Sequence, residues 1–110
     1  MTETGNKTSV ITQTRTRLRP PSMYNVVMYN DDFTTMEFVV MELMVVFDYD
    51  QNTAIGKMLA IHGSVKQVVG KYVKTIAEYK VQQCDEMKKA HGFPWFRVEI
   101  EREVEDNGGC

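Results

Sequence analysis

Tyr24-Asn25-Val26-Val27-Met28-Tyr29 runs directly into Asn30-Asp31-Asp32-Phe33-Thr34-Thr35-Met36-Glu37-Phe38. The first six residues are β-branched and aromatic, the composition of a strand. Thr34 and Glu37 have the spacing of a capping box, in which the threonine hydroxyl accepts from the third backbone N–H of a helix and the glutamate reaches back to the cap. The stretch therefore reads as strand, polar loop, helix. Asn30, Asp31 and Asp32 are held at both ends in the loop, where binding groups are commonly displayed.

Working outward, helical spacing of Met36, Val39, Val40, Leu43, Val46 and Phe47 predicts a helix over 35–47, and a second comes next over 52–62. A strand is expected at 65–73. Val73, Ile76, Ala77, Val81, Cys84 and Met87 share one face of a helix over 75–90, which ends in Lys88-Lys89 with Gly92 and Pro94 beyond. Phe96, Val98 and Ile100 alternate with Arg97, Glu99 and Glu101 in a last strand over 95–101. The order β-α-α-β-α-β predicts an α+β single-domain sandwich, a three-stranded antiparallel sheet covered by three helices. Residues 1–19 hold seven Ser or Thr and almost nothing large and apolar, which predicts a disordered arm before a core over 20–101. Residues 102–110, with Glu103, Glu105 and Asp106 before Gly108-Gly109, predict a flexible acidic tail.

The totals limit the function. The chain has 110 residues and a net charge of −2, and because the arm carries Lys7, Arg15, Arg17 and Arg19 against Glu3, the body is the acidic part. Nucleic acid is a poor partner for such a body. No apolar run approaches the roughly 20 residues of a membrane span, and a cytoplasmic protein with two free thiols, Cys84 and Cys110, is the expectation. Asp48-x-Asp50-x-Asn52 opens like a calcium loop, but Thr53 stands where glycine is needed and Leu59 where glutamate is needed. Asp50 or Asn52 is better read as a helix N-cap. His62 and His91 end helices, where imidazolium complements the dipole, and neither has a metal-ligand partner at useful spacing. Ser64 lacks a nucleophile elbow and no glycine-rich phosphate loop exists, so no enzyme, metal or cofactor is expected. Of eight methionines, Met41 and Met44 read as core filling. Met36 adjoins Asn30 and Asp32, setting an apolar wall beside a polar rim.

Arg19-Pro20-Pro21-Ser22-Met23-Tyr24, Asn30 through Val39, Met58-Leu59-Ala60-Ile61-His62 and Ala77-Glu78-Tyr79-Lys80-Val81 together resemble the ClpS family of Clp protease adaptors. The resemblance implies an N-degron adaptor that binds the first residue of a substrate protein, a Leu, Phe, Tyr or Trp, and delivers it to an AAA+ unfoldase, ClpA or its equivalent, with its peptidase. By position, Asn30, Asp31 and His62 would hold the α-ammonium group, and Asp32 and Thr34 the first backbone groups. Met36, Val39, Met58 and Ile61 would line a side-chain pocket, with Trp95 or Phe96 as its last wall: alignment favours Trp95 and the buried alternation Phe96. The family's basic unfoldase contact falls on Lys80 and its acidic one on Thr75; the arm is the part the unfoldase would engage. The alternative is a small cytosolic interaction module without an amino-terminus pocket.

Overall fold

The computed structural model describes residues 21–103. The arm expected over 1–19, the stretch from 104 to the terminus and the thiol of Cys110 lie outside the described residues. Six elements occur in the expected order: β1 (Met23–Tyr29), α1 (Met36–Phe47), α2 (Gln51–His62), β2 (Lys66–Val73), α3 (Lys74–Ala90) and β3 (Val98–Arg102). β1 lies between β2 and β3 and is antiparallel to both. A central strand is flanked on both sides, and Val26, Val27 and Met28 in the middle of β1 are all buried. The β1–β2 register shifts between Val26 and Val27, which pair with Gly70 and Val68, so that Val69 is the extra residue of a bulge. Val69 is buried with the core.

The helices cover one face. Phe38, Val39, Leu43, Val46 and Phe47 of α1, Ala54, Met58 and Ile61 of α2, and Ala77 and Cys84 of α3 close over Val26, Met28, Phe96 and Val98. Ile76, expected on the buried face of α3, is instead 43% exposed. The other sheet face is wet and charged, with Lys66–Glu101 at 2.6 Å, Lys71–Glu103 at 2.7 Å and Arg97–Glu99 at 2.6 Å. Such exposed pairs contribute little. β3 continues through Arg102, and the Glu103 N–H donates to the Met23 carbonyl at 2.9 Å, so pairing reaches past residue 101.

One expected contact is corrected. Thr34 does not cap α1; Thr35 does, its hydroxyl accepting from the Phe38 N–H at 3.2 Å, and Glu37 then falls one place short for a capping box. The cause is Asp31, whose carboxylate accepts the N–H groups of Phe33 (2.8 Å) and Thr34 (2.7 Å) and the Thr34 hydroxyl (2.8 Å). Thr34 is thereby folded into an Asx turn before the helix begins. α2 is capped by Asp50, which accepts from the Thr53 N–H at 2.7 Å.

Candidate functional site

The end of β1 feeds its loop into the mouth of a cavity of about 440 Å³. Three contacts fix that loop to the rest of the molecule. The Tyr29 N–H donates to the Arg97 carbonyl and the Asn30 N–H to the Val65 carbonyl, both at 3.0 Å. The Asn30 side-chain amide donates to the main-chain carbonyl of His62 at 3.3 Å, tying the loop to the end of α2. With its NH₂ engaged there, the Asn30 side chain keeps its oxygen as an acceptor.

The cavity floor is apolar, and its side chains are buried. Val39 (6% exposed), Met58 (8%), Ile61 (3%) and Phe96 (1%) form it, one or two from each of α1, α2 and the approach to β3. Its mouth is polar: Asn30, Asp31, Asp32, Thr34 and Thr35 from the loop, Glu37 from α1 and His62 from α2. Three of these are carboxylates and none of the lining residues is Lys or Arg. A small ligand with a cationic end and an apolar body has complementary chemistry for such a site.

The residues expected at the pocket from the sequence therefore come together with one exception. Asn30, Asp31, Asp32, Thr34, Met36, Val39, Met58, Ile61, His62 and Phe96 line one cavity. Trp95 does not; it is 51% exposed and packs edge-on against Phe33, because the turn in which the Phe96 N–H donates to the Phe93 carbonyl sends adjacent residues to opposite sides. Lys80 lies elsewhere, its ammonium donating to the Val46 carbonyl at 2.7 Å and standing over the Phe47 and Tyr72 rings, where it complements the C-terminal end of α1. Phe33, Thr35 and Glu37 also line the cavity and were not expected there. For Phe33 the available signal was an aromatic residue set alone among polar loop residues.

Met36 and Met58 are shared with a second, more apolar groove of about 570 Å³ between α1 and α2, with Val40, Met41, Met44 and Ile55 among its walls. Met44 is thus a groove residue, 37% exposed. Among the described residues no cluster of His, Cys, Asp and Glu is arranged to hold a metal, and no helix is long and apolar enough to cross a membrane. The Ser64 hydroxyl is spent on the Ala60 carbonyl at 2.8 Å. Burial pushes the Cys84 thiol well above its ordinary range, which leaves it inert.

The chain is thus a small α+β module whose one sheet holds an apolar, acid-rimmed cavity against two helices. The family model of ATP-dependent Clp protease adaptor protein ClpS matches residues 19–96, and this chain belongs to that family. The ClpS adapter of Burkholderia mallei is 44% identical over 86 residues, covering 78% of this chain and 83% of that protein. The ClpS adapter of Paraburkholderia xenovorans is 43% identical over the same shares. The structure of Agrobacterium tumefaciens ClpS2 bound to L-phenylalaninamide is similar with a TM-score of 0.72 at 33% identity, covering 76% of this chain and all of that one.

Proposed function

We propose that this chain is an N-degron adaptor, binding polypeptides that begin with Leu, Phe, Tyr or Trp and delivering them to a Clp unfoldase, ClpA or its equivalent. The observation that carries this reading is the juxtaposition of a buried apolar floor with an anionic mouth containing Asn30 and His62. The ligand of the Agrobacterium protein supports it, since L-phenylalaninamide presents a free amine, a benzyl side chain and an amide in place of the onward chain. The first side chain would fill the floor formed by Val39, Met58, Ile61 and Phe96. The Asn30 oxygen and the His62 ring would accept from the ammonium group, Asp31 would favour its charge while keeping the loop in shape, and Asp32 and Thr34 would meet the first peptide unit. The adaptor acts by binding, without a catalytic step of its own, and residues 1–19 and the Lys80 face of α3 are the parts offered to the unfoldase.

Burying a Leu or Phe side chain contributes ~1.5–3 kcal/mol, and each charge-assisted hydrogen bond adds ~1.5–3 kcal/mol. Micromolar affinity, about −8 kcal/mol, is within reach once association costs are subtracted. The test is calorimetric titration of a Leu-initiated peptide against the same peptide with its amine acetylated. Acetylation should weaken binding by at least about tenfold, the loss of one charge-assisted bond; equal affinity would point to an interaction module without an amino-terminus site.

A further inference from the structure

Phe33 and Trp95 are the two most exposed aromatic rings beside the cavity, 72% and 51% accessible. Exposure alone does not distinguish them, since Val65, Val45 and Leu59 are exposed to similar degrees. What distinguishes them is that they touch each other, edge to face with centroids 5.9 Å apart, and that the contact is anchored. Trp95 meets Phe93 at 6.2 Å, and Phe93 meets the buried Phe38 at 4.9 Å, so a line of rings runs from the core to the rim. Both backbones are fixed, that of Phe33 by the Asp31 carboxylate and that of Trp95 by the 93–96 turn. Pre-ordered aromatic side chains with free faces are what binding sites use as anchors, because little entropy remains to be lost.

We propose that Phe33 and Trp95 form a second subsite, a shelf that takes a planar apolar side chain at the second residue of a bound polypeptide. This rests on the reading of the cavity as the site of the first residue. Phe33 lines that cavity and stands in sequence between Asp32 and Thr34, the groups assigned to the first peptide unit. A chain whose first residue is seated there leaves past Phe33, and its next side chain meets Phe33 and the exposed ring of Trp95 behind it. A Phe or Tyr in that position would complete a third edge-to-face contact, whereas Ala would leave the shelf bare.

The test uses the whole chain and two peptides identical except for a Leu-Phe or a Leu-Ala start. Leu-Phe should bind about two- to tenfold more tightly, the range of one aromatic pair, and saturation with it should shift the emission of Trp95, the chain's single tryptophan. Leu-Ala should leave that emission nearly unchanged. In Trp95→Ala the preference should vanish by calorimetry, Leu-Phe and Leu-Ala then binding alike. Equal binding of both peptides with no change in Trp95 emission would overturn the shelf and leave the first-residue site standing. Failure of both peptides to bind, or binding indifferent to acetylation, would overturn both.

Discussion

Met36 is the first residue of α1, 43% exposed, and the wall it makes with Met58 separates the cavity from the outer groove. An unbranched thioether in that place can fold over a side chain that branches at its γ-carbon and crowds one that branches at the β-carbon. A purely apolar pocket discriminates by only ~1–3 kcal/mol per methylene, so rejection of Ile and Val needs this steric conflict as well. Met36→Ala should therefore raise affinity for Ile- and Val-initiated peptides by about tenfold and cost Leu little, read by fluorescence anisotropy. Continued rejection of Ile would move the gate to Val39 or Phe96. At this scale most of the site was legible, because Asn30 to Val39 is one contiguous stretch and His62 follows Met58 and Ile61 at helical spacing. The choice between Trp95 and Phe96 was legible in the buried alternation, which favours Phe96, and not in alignment, which favours Trp95 and carries no information on the sense of the 93–96 turn.

At the scale of elements, the strands and helices arise from periodicity, whereas their starts are set by competition for hydrogen bonds. Thr34 and Thr35 are equally able caps, and Thr34 has the better spacing to Glu37; the choice between them is made by the Asp31 carboxylate, which takes the Thr34 N–H and hydroxyl first. A local side-chain turn thus outcompetes the capping box. The expected consequence is that Thr35→Ala destabilises the fold by about 1 kcal/mol, the usual cost of a lost N-cap. Glu37→Gln, which removes only charge near the helix dipole, should cost about 0.5 kcal/mol or less. Urea unfolding of the two variants separates these roles, and a larger loss for Glu37→Gln would mean that the Glu37 charge at the helix dipole, more than the Thr35 cap, holds the start of α1. The bulge at Val69 and the late start of β3 at Val98 escaped the same kind of reading. An extra residue in β2 leaves the valine-rich pattern intact, and the aromatic residues from Phe93 to Phe96 look as strand-like as Val98 and Ile100.

Across the whole molecule, the least legible feature is Glu42, a carboxyl buried completely where α1 faces α3. Counting apolar positions passes over it, because it lies between Met41 and Leu43 and no apolar residue of the helix depends on it. Cys84, Asp85 and Lys88 of α3 are the ionisable groups that act on it. Lys88 gives its ammonium to the Phe96 carbonyl at 2.7 Å and to Asp85 at 3.2 Å, and the Cys84 thiol, though near enough to favour the anion slightly, gives neither Glu42 oxygen a well-formed hydrogen bond. Burial dominates and pushes the Glu42 carboxyl up from 4.5 to about 8. In the unfolded chain it ionises near its ordinary value; in the folded chain it stays neutral until much higher pH. Stability from this group is complete below pH 4.5 and is lost as pH rises through the interval to about 8, a change of roughly 3–5 kcal/mol at 1.36 kcal/mol per unit. That is a large share of the ~5–15 kcal/mol that holds a domain folded, and it acts on the contact that positions α1, and with α1 the cavity floor, against α3. Glu42→Met, similar in volume and without a charge to bury, should leave stability at pH 5 little changed and raise it by about 2–4 kcal/mol at pH 8. Denaturant midpoints for both proteins across pH 5 to 8 provide the measurement, and parallel curves would mean that the Glu42 carboxyl reaches solvent or a partner when it ionises.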